Sequence, residues 1–216
     1  METKRIGTRT IAFSSPPVLI GSASVAGKKE GEGPLGDSFD YVAQDTTMGE
    51  KSWEKAESRM QREALDRAVV KSGINASALQ VIFAGDLINQ CIISAYGVRG
   101  MDSPFVGLYG ACSTMAESLM MAAMTVDGGF ADYAAAVTSS HFASAERQYR
   151  FPLEYGGQRP PTAQWTVTGA GAAVLAKSGS GPAVTRACAG KIVDYGVTDA
   201  NNMGAAMAPA MAKDTQ

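Results

Sequence analysis

The chain has 216 residues, 45% hydrophobic and 19% charged, which is enough to bury a core in one large domain or two small ones. Its net charge of −2 gives no indication of a nucleic-acid-binding surface, so we predict no nucleic-acid partner. Its three widely spaced cysteines fit reduced thiols in the cytoplasm better than a disulfide framework or a zinc site, so we predict no metal ligands and no cofactor.

At the N-terminus, the segment METKRIGTRTIAF lacks the long apolar run of a signal peptide, so we predict that the protein is not secreted. Residues 18–27 form a predicted strand of small residues, and residues 28–41 form a loop rich in glycine and charge. Residues 52–72 are the clearest helix, because apolar side chains recur there at helical spacing. Ser52 is its predicted N-cap and Gly73 its stop.

The middle of the chain alternates between strand and helix. Residues 79–88, 105–109 and 132–139 are predicted strands, and residues 92–96 begin a short helix. Residues 113–126 form a helix that is apolar nearly all round, which predicts that it is buried. No apolar run reaches the length of a membrane span, so any membrane association is predicted to be peripheral.

The last third of the chain changes character. Residues 140–164 are a predicted loop rich in Arg, Tyr, Pro and Gly. Residues 165–176, 183–189 and 192–199 are strand-like, and residues 201–216 begin another helix. Strand–helix repeats followed by antiparallel strands predict an α/β protein with a mixed sheet and helices on both faces.

Cys112 is the leading candidate for chemistry. It lies where a predicted strand ends and a predicted helix begins. The unpaired N–H groups and the dipole at a helix N-terminus stabilise thiolates and bind anions. The alternative is that Cys112 only packs, because free cysteine is among the most buried residue types.

His141 is the only histidine and follows a predicted strand, a position that often lines sites in α/β sheets. If Cys112 were a nucleophile, its general base would be His141 or a carboxylate. The alternative is a loop histidine satisfied by ordinary hydrogen bonds. Arg147, Arg150 and Arg159 share the following loop, and guanidinium groups suit carboxylates or phosphates, although most loop arginines are simply solvated.

The glycines of residues 168–173 (TGAGAA) do not form a dinucleotide-binding loop. The run departs from the G-x-G-x-x-G pattern at the third glycine, and an apolar strand follows it where the motif requires a helix. Glycines within a strand more often indicate close approach of another backbone.

Several segments resemble a known superfamily. Gly110-Ala111-Cys112-Ser113 and the helix after it resemble the nucleophile segment of thiolase-fold proteins, and residues 169–175 resemble their G-D-G-A-A strand, with Ala170 in place of the usual acidic residue. Longer segments resemble the stage V sporulation protein AD family of spore-forming Firmicutes over nearly the whole chain. They are GVRGMDSPFVGLYGACSTMAESL, TSSHFASAERQYRFPLEYGGQRPPTAQWTVTGAGA and KIVDYGVTDANNMGAAMAPA.

The resemblance implies a thiolase-like mixed sheet with helices on both faces, as the first half of a two-half, five-layer fold. Residues 1–200 would be the N-terminal half, and residues 201–216 would be the start of a truncated C-terminal half. In thiolase-fold enzymes the second half completes the catalytic site. We therefore expect half of the five-layer core to be exposed in this chain.

The resemblance also implies a function. It indicates a protein that binds dipicolinic acid (pyridine-2,6-dicarboxylate), free or as its calcium chelate, for uptake into the developing spore. It implies a homodimer that works with other stage V sporulation membrane proteins, peripheral at the cytoplasmic face of the forespore or spore inner membrane. The open alternatives are a cysteine-dependent acyltransferase with Cys112 as nucleophile, and a non-catalytic scaffold for membrane partners.

A predicted ligand site follows from that function. The helix N-terminus at Cys112 and Ser113 would face one carboxylate of the ligand, and Arg150 would bind the other. Phe142 or Tyr149 would stack on the ring. The predicted ligand-binding residues are Cys112, Ser113, His141, Phe142, Tyr149 and Arg150.

Overall fold

The structure is a computed structural model that describes residues 4–149, 166–199 and 202–214, with only the backbone of residues 89, 146–149, 203, 210, 213 and 214. The chain divides into two compact units, one of residues 13–185 and one of residues 1–12 with 186–216. The assignment of residues 1–200 to one half of a larger fold stays a prediction.

The described residues form nine strands and six α-helices. In the described part of the chain the strands are β1 (Arg5–Ile6), β2 (Thr10–Ala12), β3 (Val18–Ala26), β4 (Tyr41–Val42), β5 (Val81–Gly85), β6 (Phe105–Gly107), β7 (Tyr133–Ser140), β8 (Gly169–Ala176) and β9 (Arg186–Cys188). The helices there are α1 (Lys28–Gly31), α2 (Trp53–Ser72), α3 (Ile92–Gly97), α4 (Thr114–Asp127), α5 (Phe142–Tyr149) and α6 (Met203–Asp214). No helix among the described residues has the length and apolar character needed to cross a bilayer.

The unit of residues 13–185 is built on a mixed sheet with the strand order β4-β3-β8-β7-β5-β6. Strand β8 runs antiparallel to β3 and β7, while the other neighbouring pairs are parallel. The carboxyl ends of β3, β5, β6 and β7 therefore meet at one edge, beside the start of β8. In the register, Gly169 lies opposite both Ala26 and Ser140. Binding sites of α/β sheets form at such edges.

Helix α2 packs on one face of this sheet and confirms the predicted helix. The Oγ of Ser52 caps it by accepting a 3.3 Å hydrogen bond from the N–H of Lys55, and Gly73 ends it in a left-handed conformation. Met60 and Leu65 are fully buried against the sheet, and each such side chain stabilises the fold by roughly 1.5–3 kcal/mol. The helix lies close to β3 at Gly21, where a Cβ would come within 2.4 Å of a carbonyl oxygen of α2.

Helix α4 packs against β5, β7 and β8, whose side chains alternate between the α2 face and the α4 face. The prediction that this helix is buried all round is wrong. Ala122, Ala123 and Val126 are buried, but Met124 is 39% exposed. Two polar residues, Thr114 and Ser118, lie on its buried side. Ala116 and Met124 are exposed on its outer side.

The smaller unit contains an antiparallel sheet in the order β1-β2-β9, and helix α6. The predicted strand of residues 183–189 is shorter than expected, since only Arg186–Cys188 pairs with β2. The predicted strand of residues 192–199 is absent, because the described residues there form no ladder. Ile192 is 99% exposed, so this segment lacks the burial that favours a strand.

Candidate functional site

A cavity of about 580 Å³ opens at the edge of the sheet where the parallel strands end. Cys112, Phe39 and Met115 lie on its wall. Hydroxyl groups make up much of the rest, at Ser24, Thr138, Ser139, Ser140, Thr166 and Thr168. The described wall carries the carboxyl groups of Glu30 and Asp86 but neither lysine nor arginine. The wall is thus largely apolar, with several hydroxyl groups and two carboxyl groups.

Cys112 lies in a short 3-10 turn that joins β6 to α4. Ala111 has a φ of 49°, a left-handed conformation uncommon for a residue with a side chain. The Oγ of Ser113 donates to the carbonyl of Gly110, and the Oγ1 of Thr114 donates to the carbonyl of Ala111, both at 2.8 Å. These bonds fix the turn so that exposed Cys112 faces the cavity. Unusual backbone of this kind concentrates at functional sites.

Asp86 directly follows β5 and is 1% exposed on the cavity wall. Its carboxylate accepts hydrogen bonds from the N–H of Ser94 at 2.8 Å, the Oγ of Ser94 at 2.6 Å and the N–H of Ile88 at 2.9 Å. Burial raises the pKa of Asp86, and these three hydrogen bonds act in the opposite direction. Among the described residues, only uncharged N–H and O–H groups donate to this carboxylate.

Glu57 is a second buried carboxyl, fully covered on α2. Its Oε1 accepts from the Oγ of Ser139 at 3.0 Å, and its Oε2 accepts from the Oγ of Ser144 at 2.6 Å. Burial raises the pKa of Glu57 to about 7, with a smaller contribution from the charge of Asp86, while the two serine hydrogen bonds lower it. Glu57 is therefore poised to exchange a proton near neutral pH.

Gln61 connects the two carboxyl groups. Its Nε2 lies within hydrogen-bond distance of three acceptors, the Oγ of Ser94 at 3.0 Å, the carbonyl of Gly85 at 3.1 Å and the Oγ of Ser139 at 3.3 Å, and its two hydrogens serve two of them at a time. Short polar contacts thus link Glu57 through Ser139, Gln61 and Ser94 to Asp86. Asp86 and Ser139 are both among the residues of the cavity wall.

His141 lies elsewhere, at the start of α5. It is fully buried, its Nε2 donates to the carbonyl of Thr46 at 2.8 Å, and its Nδ1 accepts from the N–H of Ala143 at 3.1 Å. Burial lowers the pKa of His141, more strongly than the hydrogen bond to Thr46 and the charge of Glu30 raise it. Both ring nitrogens are engaged with backbone, so His141 caps a helix and does not face the cavity.

The structure brings only part of the predicted site together. Cys112 is on the cavity wall, and Ser113 is its neighbour in the turn. Phe142 stacks on His141 with ring centroids 5.0 Å apart, and neither is among the wall residues. Arg150 lies outside the described residues, as does the side chain of Tyr149.

The polar residues that line the cavity beside Cys112 are not among the predicted site residues. Asp86 carried a usable signal, because it is a charged residue directly after a buried strand. Thr138, Ser139 and Ser140 were assigned to the end of a strand or the start of a loop, without a role. Glu57 carried no signal, since a glutamate in an amphipathic helix is ordinarily solvent-exposed.

Comparison with known proteins gives one family match. A family model described as Stage V sporulation protein AD matches residues 7–216. The Stage V sporulation protein AD of Bacillus subtilis (strain 168) is 44% identical over 209 residues, which are 97% of this chain and 62% of that protein. The chain therefore spans less than two thirds of this relative.

Solved structures share the fold. A crystal structure of an OleA variant from Xanthomonas campestris has a TM-score of 0.51 and 15% identity, over 76% of this chain and 57% of that one. A priming β-ketosynthase of a polyketide biosynthetic pathway has a TM-score of 0.51 and 18% identity, over 82% and 53% of the two chains. At these identities the likeness shows the fold alone, and it confirms the predicted thiolase-like mixed sheet.

Proposed function

Because the chain belongs to the Stage V sporulation protein AD family, we propose that it binds dipicolinic acid in the cavity beside Cys112 and takes part in moving this ligand into the developing spore. The observation that carries the proposal is the cavity itself. It combines Cys112, several serine and threonine side chains and apolar surface at the edge where α/β sheets bind ligands. A small planar dicarboxylate matches this mixture of polar and apolar wall.

The charge of the wall favours the calcium chelate as the bound form. Glu30 and Asp86 would repel a bare dianion, and no cationic side chain among the described wall residues offsets them. A calcium ion neutralises the two ligand carboxylates, and its remaining coordination positions suit oxygen ligands. Arg150 stays the proposed cation for the free dianion.

Binding of dipicolinate is tested by calorimetry on this chain beside a chain extended to the length of the Bacillus subtilis relative. We expect measurable heat with wild type, and at least about tenfold weaker binding with Cys112→Ala. Cys188→Ala is the matched control, because Cys188 is exposed and belongs to the other unit. Binding only by the extended chain assigns part of the pocket to the residues that the extension adds. Absence of binding by both chains overturns the proposal.

An acyl-transfer reaction at Cys112 is the second candidate. Its supporting observation is the exposed thiol after a left-handed residue at a strand–helix junction. Attack on a thioester needs a base for the thiol proton, and both nitrogens of His141 are already hydrogen-bonded to backbone. Mass spectrometry after incubation with an acyl thioester separates the two functions, since only an acyltransferase acylates Cys112 ahead of Cys188.

We also propose that the protein works as a peripheral partner of other stage V sporulation membrane proteins, at the cytoplasmic face of the forespore inner membrane. This rests on the family alone. A fluorescent fusion in sporulating cells tests it. Forespore-membrane signal that disappears when those membrane proteins are deleted supports the proposal, and diffuse signal in both strains contradicts it. A protein that reaches the membrane but binds no dipicolinate is the scaffold alternative.

A further inference from the structure

We propose that Gly171 is the specificity-determining position of the cavity: a planar ligand lies flat on the backbone of β8 at Gly171, between the hydroxyl groups of Ser24 and Thr138. The inference deepens the proposed function and rests on it, because it places dipicolinate against one particular part of the wall. All three residues line the cavity.

The sheet register brings these three residues into one row. Ser24 on β3 and Thr138 on β7 both lie directly opposite Gly171 on β8. Residues directly opposite each other on neighbouring strands share a face of the sheet. Two strand spacings of about 4.8 Å separate β3 from β7, so the row is roughly 10 Å wide and has no side chain at its centre.

The row faces away from helix α2. Val25 and Ala170, the next residues in register on β3 and β8, are buried in the core cluster that contains the apolar side chains of α2. Successive residues of a strand point to opposite faces, so Ser24 and Gly171 point to the other face, and Thr138 shares it. All three residues of the row are partly exposed, which fits a face that opens to a cavity.

The space above Gly171 is open. Among the described residues, a Cβ built at this position would meet no atom within 4 Å. At Gly169, two residues earlier in the same strand, a Cβ would come within 3.0 Å of the carbonyl oxygen of Val25. Close approach of another backbone therefore accounts for Gly169, as the sequence predicts, but not for Gly171. The other use of a glycine within a strand is to let a ligand approach the backbone closely.

The row fits a flat ring that carries oxygen atoms on both sides. Within the described part of the chain, the hydroxyl groups of Ser24 and Thr138 make no hydrogen bond to another residue, so each can donate to a ligand oxygen. In the calcium chelate of dipicolinate, the metal takes the ring nitrogen and one oxygen of each carboxylate. The outer oxygen of each carboxylate stays free to accept, one on each side of the ring.

A side chain at position 171 would occupy the space that the ring needs. A methyl group would lift the ring from the strand and away from both hydroxyl groups, and a valine side chain would fill still more of the space. The backbone of Gly171 is not left-handed, so alanine and valine are allowed there, and valine favours a strand. Substitution of Gly171 therefore removes room for the ligand without straining the fold.

The test is calorimetry with the preformed calcium chelate of dipicolinate, on this chain and on the chain extended to the length of the Bacillus subtilis relative. We expect Gly171→Ala to weaken binding at least about tenfold and Gly171→Val to abolish it, with melting temperatures no lower than that of wild type. Gly204→Val is the matched control, because a Cβ at Gly204 also meets no described atom within 4 Å and the residue belongs to the other unit. It should bind as wild type does.

The two hydroxyl groups are tested in the same titration. Ser24→Ala and Thr138→Val each remove one donor, and each should weaken binding about fivefold. Ser22→Ala is the matched control on β3, because Ser22 is exposed and is not among the wall residues. Its affinity should equal that of wild type.

Two results overturn the inference: binding by Gly171→Ala and Gly171→Val that is as tight as that of wild type, and an equal loss of binding in Gly204→Val. If Gly171→Val does not fold, Gly171→Ala decides alone, because it adds a single methyl group to the open space.

Failure of the proposed function is distinguishable from failure of this inference. If neither wild-type chain binds the chelate, the proposed function fails. Position 171 is then judged with pyridine-2,6-dicarboxamide, a planar and uncharged analogue, by saturation-transfer NMR. Binding by wild type that is lost in Gly171→Val supports the inference. Absence of binding by wild type, or equal binding by the variant, overturns it.

Discussion

Glu57 on α2 accepts a 3.0 Å hydrogen bond from Ser139 on β7, which lies 82 residues further along the chain. The bond joins a helix to the central sheet at the point where the sheet meets the cavity. Burying a carboxyl group there costs stability whenever the group is ionised, because neutral hydroxyls replace its water. Buried carboxyl groups held at such a cost are found mostly at functional sites.

The first prediction concerns stability and pH. The folded protein holds the proton of Glu57 up to about pH 7, whereas the unfolded chain releases it near 4.5. The folded state binds more protons between these values, so the contribution of Glu57 to the free energy of unfolding falls by about 3 kcal/mol as the pH rises through that window. Glu57→Gln should remove this fall. Urea denaturation at several pH values across this window measures the free energy of unfolding of both proteins. If the variant loses as much stability as wild type does, the prediction is wrong.

A second prediction concerns Gly85, at the end of β5. A Cβ at this position would come within 2.3 Å of the carbonyl oxygen of Leu108 and of the Cγ2 of Thr114. The carbonyl is backbone and cannot turn away, so Gly85→Ala should lower the free energy of unfolding by roughly 3 kcal/mol. Gly171→Ala is the matched control in β8, because a Cβ there meets nothing within 4 Å. Equal thermal stability of the two variants would refute the steric argument.

His141→Asn tests the capping role of His141. Asparagine can accept from the N–H of Ala143 but cannot reproduce the bond to Thr46, so we expect a loss of about 1 kcal/mol at neutral pH. Burial lowers the pKa of His141, so the unfolded chain binds more protons and the contribution of His141 to stability is lost as the pH falls below about 6.5.

The His141→Asn variant should not lose this stability as the pH falls. Glu57 contributes equally to wild type and variant, so the difference between their free energies of unfolding reports His141 alone. Chemical denaturation at several pH values measures this difference. Dipicolinate affinity measured well below the melting temperature should be unchanged, because His141 is not on the cavity wall. A large loss of affinity would instead indicate that His141 is a ligand-binding residue, as the sequence predicts.

Much of the fold was predictable because its signals are local. The helix of residues 52–72 has a polar N-cap, a glycine stop and apolar residues at helical spacing, and all three are read within one segment. The strand at residues 169–176 was predicted for a similar reason, although its start was placed too early. Helix α5 was missed, because arginine, tyrosine and nearby prolines favoured a loop for residues 140–164.

The site was less predictable, because it is assembled from distant segments. Cys112 was identifiable, since a strand–glycine–cysteine–helix junction is a local pattern. The pairing of Glu57 with Ser139 and Ser144 depends on the packing of α2 against β7 and α5, which no local pattern specifies. The exposure of α4 was mispredicted for the same reason: an apolar helix indicates that something covers it, but not whether the covering residues belong to this chain.

Thiol labelling gives a fourth prediction. Cys112 is exposed on the cavity wall, whereas Cys91 is half-buried, its Sγ donates to the carbonyl of Leu108 at 3.1 Å, and burial raises the pKa of its thiol. Iodoacetamide should therefore alkylate Cys112 at least about tenfold faster than Cys91. Dipicolinate should slow the reaction of Cys112 and leave that of exposed Cys188 unchanged. Peptide mapping with and without ligand measures all three rates, and equal protection of Cys188 would indicate a non-specific effect.

The fifth prediction concerns self-association, which we propose occurs through β6. This strand ends the order of the large sheet, and its Phe105 and Val106 are 37% and 40% exposed. An edge strand with exposed apolar side chains is a template for pairing with a second copy, and a two-fold axis would bring Val106 of both copies close together. Val106→Lys places like charges across that axis and should weaken the dimer at least about tenfold. Val70→Lys, at a 78% exposed position on α2, is the matched control. Analytical ultracentrifugation distinguishes them: a dimer lost in both variants, or in neither, rules out β6 as the contact.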